Sequence, residues 1–263
     1  MTHPNYIIIN ADDVGLHPDI DKGVDIGIQK GIINSISIIA ISKECDWEKI
    51  RYFRDKKVFT GVHLTFVGLH WKTRNYYFPN WQHFMFKVFI RGKTFLHAIL
   101  EESRWQIEKL VAEEIPLHHI DSEDHTHVLP GIWPLIQELS LEYSIPRIRL
   151  PVSPTIFSIR KNIGGLCLQF FSLLKKNQKK YLPCIGIKYS GQNTYEKIAK
   201  EIKLARGKNI ELIVHPGINS QSLNSIKSFR GLNYNWYGEL KLLLDKRFIN
   251  LLEKTGYEIV KLE

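Results

Sequence analysis

The sequence predicts an α/β fold built on a parallel sheet, either closed into a barrel or laid open as a doubly wound sheet. Two observations predict it. Short apolar, β-branched runs alternate with helix-like segments about seven times along the chain, the rhythm of repeated strand–helix units. The first of them, at 6–10, is a short apolar, β-branched run, as expected of a strand buried on both faces. No Ser/Gly-rich linker divides the 263 residues, so one domain is expected over 1–263, a length common among single α/β barrels. Hydrophobic residues, at 44%, suffice for a sizeable core.

The elements follow in order. Residues 6–10 form the first strand. His17-Pro18-Asp19 opens a helix, with Pro18 placed where its missing N–H costs nothing, and Gly31 closes it. Strands are expected at 35–41 and 59–66, then a long helix over 95–114, a strand at 118–122 and a helix over 132–143. Pro146 and Pro151 bound a short strand at 147–150. Beyond a Lys-rich helical region, 185–189 and 211–215 read as two more strands. The closing helix carries Leu240, Leu243, Leu244, Phe248, Leu251 and Leu252 on one face, a stripe that packs on the core.

Composition excludes several function classes. The formal charge is +9, but diffuse basicity alone specifies no ligand. Cys45, Cys167 and Cys184 are odd in number and show no CxxC spacing, which argues against a disulfide framework or a thiolate metal site and for a reducing compartment. The N-terminal segment lacks a secretory apolar core. The most apolar stretch, residues 163–174, is short of the ~20 residues that span a bilayer. A cytoplasmic location is therefore expected. Phosphate-loop and dinucleotide fingerprints are absent, and no nucleic-acid motif is present.

In a barrel, chemistry sits at the C-terminal ends of the strands. Four polar clusters fall there. Asn10-Ala11-Asp12-Asp13 follows the first strand, and paired carboxylates there are costly unless they bind a metal, carry a proton or cap a helix. His63 stands in an apolar, strand-like context. The segment from His118 to His127 holds four of the chain's 11 histidines together with Asp121, Glu123 and Asp124. Such a set suits a divalent metal bound through oxygen and imidazole. His215-Pro216-Gly217 ends another apolar strand. Together these residues describe a metal-dependent hydrolase, in which a metal polarises water and a second carboxylate acts as base.

At these positions the sequence resembles the YdjC-like carbohydrate deacetylases, relatives of the NodB-type polysaccharide deacetylases. The matching stretches are residues 8–16, 61–65, 119–130 and His215-Pro216-Gly217, in the expected order. The resemblance implies a distorted (β/α) barrel of about seven parallel strands. It also implies removal of an N-acetyl group from a sugar with one divalent metal, Mg²⁺ or Zn²⁺, with Mn²⁺ or Co²⁺ as alternatives. Carried over, Asp12 is the general base, Asp13 and His63 are metal ligands, Arg149 orients the base, and His215 is the acid that protonates the departing amine. One departure stands out. The family reads Asp-Ser-His-x-His-x-His, and here Glu123 replaces the first histidine, a metal ligand in the family, while His125 and His127 remain. Either Glu123 serves as a harder ligand, or His125 or His127 takes over, or the chain is a catalytically impaired sugar-binding relative. A metal-dependent hydrolase of another bond, such as a phosphoester, is a further alternative.

Residues 69–105 read as an aromatic-rich insertion. Trp71, Tyr76, Tyr77, Phe78, Trp81, Phe84, Phe86 and Trp105 alternate there with Lys72, Arg74, Lys87 and Arg91. These aromatics either stack on sugar rings or bury themselves in a satellite core or subunit interface, which would fit a homodimer. The expected substrate is an N-acetylated sugar, oligosaccharide or lipid-linked glycan; a nucleic-acid partner is not expected. The lysine run at 175–180 is either a solvated helix end or a peripheral contact with an anionic membrane.

Overall fold

The computed structural model describes residues 5–153, 182–230 and 233–262. Its apolar runs pair into one all-parallel sheet. The longest of the described strands, β1 (Asn5–Val14), lies inside the sheet, where Ile7, Ile8 and Ile9 are all buried. On one edge it pairs with β2 (Ser35–Ile38), and the sheet continues through β3 (Phe59–Leu64), β4 (His119–Ser122) and β5 (Arg147–Ile148). On the other edge it pairs with β7 (Ile210–Val214), which pairs in turn with β6 (Cys184–Ile185). This is the strand order of a barrel cut between β5 and β6, and the sheet curls into a half-barrel. Across the cut, the Cys184 N–H donates to the Val152 carbonyl at 2.8 Å. The last strand, β8 (Tyr257–Ile259), pairs with Asn5–Ile7 of β1, ahead of the point where β2 begins. Asn34 splices the two in tandem: its Oδ1 accepts from the Ile9 N–H at 2.7 Å and its Nδ2 donates to the Val260 carbonyl at 2.6 Å.

Eight helices cover the sheet among the described residues: α1 (Pro18–Gln29), α2 (Trp47–Asp55), α3 (Trp81–Ala112), α4 (Ile132–Glu142), α5 (Tyr195–Leu204), α6 (Gln221–Arg230), α7 (Trp236–Leu244) and α8 (Lys246–Thr255). The expected alternation of strand and helix holds, with differences that have local causes. Residues 185–189 stop being a strand at Ile185 because Gly186 turns to φ 86°. The closing helix is two helices. Asp245 is extended (φ −71°, ψ 123°), ends α7, and caps α8 by accepting from the Arg247 N–H at 2.8 Å. The long helix starts at Trp81 instead of 95, since Asn80 caps it, and Gly92 at φ 47° breaks its regularity part-way. The sequence pattern offers no counterpart to α2 or β8. Residues 163–174, the lysine run at 175–180 and Cys167 lie outside the described residues.

The aromatics of residues 69–105 divide into two groups. Trp71, Phe78, Phe84 and Phe95 are buried, with Phe66 stacked on Phe84 at 5.5 Å between ring centroids and Trp71 on Phe95 at 5.7 Å. Glu102, fully buried on α3, accepts from the Lys72 and Thr73 N–H groups at 3.0 and 2.9 Å and ties the preceding loop to the helix. Tyr77, Trp81 and Phe86 are exposed.

The turn after β7 is held against α1 at backbone distance. The Ile218 N–H donates to the Asp19 carbonyl at 2.9 Å, and a Cβ on Gly23 would overlap the backbone of Gly217. Overpacking of this kind costs roughly 1–3 kcal/mol. Gly23→Ala should therefore lower the urea midpoint by that equivalent with an unchanged m-value; a midpoint equal to wild type would show that the turn is not packed this tightly.

Candidate active site

Strict strand alternation would send Asp12 and Asp13 to opposite faces of the sheet. A bulge prevents this. Ala11 pairs with Ile36 and Val14 with Ile38, so two residues of β1 stand opposite the single Ser37 of β2. Asp13 takes up the extra residue at φ 66°, a left-handed conformation that Asp tolerates better than most residues. Both carboxylates are buried, and both reach the mouth formed by the neighbouring strands.

Below that mouth the interior of the half-barrel is polar. Arg149, immediately after β5 and fully buried, is its hub. Nη1 and Nη2 donate to the two carboxylate oxygens of Asp12 at 2.8 and 2.9 Å, and Nη2 lies 2.7 Å from Asp121 Oδ2. Nε donates to Glu211 at 2.9 Å, and Arg147 pairs with the same carboxylate. Asn10 donates to Asp12 at 2.6 Å, Ser37 donates to Asp121 at 2.6 Å, and His119 Nε2 lies 3.0 Å from Ser37 Oγ. Burial alone would push the Asp12 and Asp121 carboxyls up, but the Arg149 guanidinium outweighs it and holds both below the ordinary carboxylate range. Burial pushes His119 down to about 3, so it is neutral.

His63 pairs in register with Asp121 across β3 and β4, and its Nδ1 lies 2.8 Å from Asp121 Oδ1. That contact fixes the ring, leaving Nε2 turned toward Asp13 Oδ1 at 3.5 Å. A carboxylate behind a histidine, with the other nitrogen aimed at a second carboxylate, is the arrangement that orients imidazole for a metal. Burial disfavours the charged ring, yet Asp121, Asp12 and Asp13 outweigh it and raise the His63 pKa. Metal and proton would compete for Nε2.

After β4 the chain makes an irregular turn, with Asp124 and His125 both left-handed at φ 52° and 53°. His125 sits close enough to feel the charges of Arg149, Asp12 and Asp121. Desolvation pushes it down to about 3, and its Nδ1 is buried with no hydrogen-bond partner. It is thus a neutral imidazole with a nitrogen to offer. His127 is engaged at both nitrogens, Nδ1 with Ser122 Oγ at 2.6 Å and Nε2 with the Arg149 carbonyl at 2.8 Å. With Nε2 donating to that carbonyl, Nδ1 accepts from Ser122, and the ring positions the Arg149 backbone. Glu123 is half-buried at the start of the turn.

His215 follows β7, the strand that pairs with β1. Its backbone N–H donates to Glu239 at 2.6 Å, and its Nδ1 lies 3.7 Å from the same carboxylate. Its Nε2 lies 3.5 Å from Ser190 Oγ, and the ring packs on Tyr234 at 4.7 Å. Burial would lower its pKa, but Glu239 prevails and raises it to about 9. The sequence pattern missed Glu239, Glu211 and Ser37, and it placed His119 and Asp121 only within the cluster at 118–127.

Among the described residues, the one group of three or more His, Cys, Asp or Glu with ligand atoms within 4.8 Å of one another is Asp12, His63 and Asp121. Its donor chemistry, with Asp13 beside it and the unpartnered His125 nitrogen nearby, is compatible with one divalent metal. Of the expected ligands, only His63 belongs to that group; Asp13 stands beside it, 3.5 Å from His63 Nε2, and Glu123, His125 and His127 are not part of it. Asp12 and Arg149 are in direct contact, and His215 follows Val214, the partner of Ala11 on the neighbouring strand.

Several known proteins are similar to this chain. A carbohydrate deacetylase of Clostridium beijerinckii is 25% identical over 97% of both chains. One from Vibrio parahaemolyticus is 26% identical over 53% of this chain, a match spanning 57% of the Vibrio protein. In fold, a candidate cellobiose-phosphate cleavage protein from Enterococcus faecalis V583 superposes with a TM-score of 0.75 at 17% identity, over 98% of this chain and 97% of that one. A family 4 carbohydrate esterase from Streptomyces lividans, solved with acetate, superposes with a TM-score of 0.53 at 8% identity, over 100% of this chain and 95% of its own. Residues 6–254 match the family described as YdjC-like protein, and the chain belongs to that family.

Proposed function

We propose that the protein is a metal-dependent hydrolase that removes an N-acetyl group from an amino-sugar-containing glycan or glycolipid and releases acetate. The observation that carries this reading is the opposite protonation of two groups at the ends of neighbouring strands β1 and β7. Arg149 keeps Asp12 ionised, and Glu239 keeps His215 protonated up to about pH 9. Amide hydrolysis needs such a pair, a base for the attacking water and an acid for the leaving nitrogen. The relatives named carbohydrate deacetylase support the same bond and substrate class.

Asp13 and His63 would hold the metal, with a third donor from Glu123 or His125; Mg²⁺, Zn²⁺, Mn²⁺ and Co²⁺ all suit an oxygen and imidazole set. When bound, a divalent ion supplies Lewis-acid polarisation of the amide carbonyl and of water. The chain's own residues do the rest. Asp12 accepts a proton from the attacking water while Arg149 fixes its carboxylate plane. The water oxygen bonds to the acetyl carbon, the C–N bond breaks, and His215 gives its proton to the sugar nitrogen. The products are acetate and the free amine, and the proton Asp12 gained returns to solvent. A free oligosaccharide and a lipid-linked glycan both fit this scheme, and a cytoplasmic setting belongs to the same proposal. The Glu123 position favours one rival, an impaired sugar-binding protein.

Three measurements test the proposal. Asp12→Asn should reduce acetate release from N-acetylated sugars by at least about 100-fold, the scale of a general base; unchanged turnover removes Asp12 from the chemistry. Activity should fall as pH rises through about 9, where His215 loses its proton. Because Glu239 raises that pKa, Glu239→Gln should move the alkaline limb to lower pH; a limb that stays put separates His215 from the acid step. Chelation should stop acetate release, and adding back the four ions one at a time should identify the one used. Glycan binding without turnover under every ion would favour the impaired relative.

A further inference from the structure

The first part of α3 leaves a hydrophobic face uncovered. Phe86, Phe89 and Ile90, spaced i, i+3, i+4, are 67, 79 and 64% exposed, with Trp81 and Tyr77 at 40% nearby. The opposite side of the same turns packs inward through buried Phe84 and half-buried Met85 and Val88. The helix is therefore anchored to the protein by one face and offers a second apolar face to the outside. The loop leading to it starts where β3 ends, at the same end of the sheet as His63, so this face stands on the side of the candidate active site.

Charge decides what covers it. Between Asp55 and Glu101 the chain has no acidic residue, whereas Lys72, Arg74, Lys87, Arg91 and Lys93 lie within that stretch. Arg91 and Lys93 are exposed beside the apolar face, and Lys87 is half-buried. A second copy docking by the same patch would bring Lys87, Arg91 and Lys93 against their own counterparts, since a two-fold interface is self-complementary, and like charges would oppose it. Exposed aromatics flanked by cations without acids match a lipid interface carrying negative headgroups. We infer that residues 81–93 form a peripheral docking surface for an anionic lipid bilayer, with Phe86, Phe89 and Ile90 entering the headgroup boundary and Lys87, Arg91 and Lys93 meeting lipid charge. This surface stands independently of the deacetylase reading.

Vesicle co-sedimentation of the full chain tests the inference, using phosphatidylcholine alone and phosphatidylcholine mixed with phosphatidylglycerol. Binding is expected to the mixed vesicles only and should weaken as salt is raised. The paired changes Phe86→Ser/Phe89→Ser and Lys87→Gln/Arg91→Gln should each lower the apparent partition coefficient by at least about tenfold. Thermal melting of each variant confirms folding, which exposed positions should preserve. Absence of binding by wild type overturns the inference. So does equal binding to both vesicle types, or binding that survives both pairs of changes and is lost on neutralising the lysines at 175–180. A dimer in sedimentation velocity that Phe86→Ser/Phe89→Ser dissolves would overturn it in favour of a second copy.

Discussion

The fold and the site depend on one guanidinium. Arg149 is fully buried, and it joins Asp12 of β1, Asp121 of β4 and Glu211 of β7. A cation taken out of water is costly unless its donors are matched, and three carboxylates match the donor fork of arginine from three directions. The same contacts span the interior of a sheet whose two edge strands are not paired with each other. Barrels of this general kind fill their centre with branched apolar side chains. Here a charged network occupies part of that centre, and strand spacing and carboxylate protonation are fixed by the same atoms.

That network also separates the roles of chemically similar groups. Asp12 and Asp13 are neighbours in sequence, yet Asp12 is held by Arg149 and Asn10, whereas Asp13 is delivered by the bulge to the front of His63. Four buried or half-buried histidines differ just as sharply. Asp121 aims His63, Ser122 and a carbonyl occupy His127, His125 keeps an unpartnered nitrogen, and Glu239 holds a proton on His215. Residue type supplies the vocabulary of the site, and the second partner of each side chain decides what it can do.

Much of this was legible in the sequence because polar residues at the ends of apolar runs are conspicuous. Asp12, Asp13, His63 and His215 all announce themselves that way, Arg149 stood out only through the family resemblance, and the seven-fold alternation pointed to a parallel barrel-like sheet. Other residues were hidden by the same logic. Glu211 opens the expected strand at 211–215, where an acid looks like an exposed end, and only the side-chain contact inside the folded sheet reveals that it meets Arg149. Glu239 lies between Trp236, Leu240 and Leu243 on the buried stripe of α7, a misplaced charge that was itself a signal. The bulge at Asp12-Asp13 could not be seen, since register belongs to pairs of strands. β8 is three residues long, too short for a period to show.

The place of β1 has a consequence for how the chain is made. It leaves the ribosome first among the strands, yet it comes to lie inside the sheet, and the partner for its second edge is β7, some 200 residues later. Until Ile210–Val214 emerges, the longest of the described strands has an unsatisfied edge, open to pairing with any other extended chain. Arg149 likewise waits for Glu211. A nascent chain halted before β7 would expose an unpaired strand edge and leave Arg149 one carboxylate short, so the strand order places the closing of β1 late in synthesis.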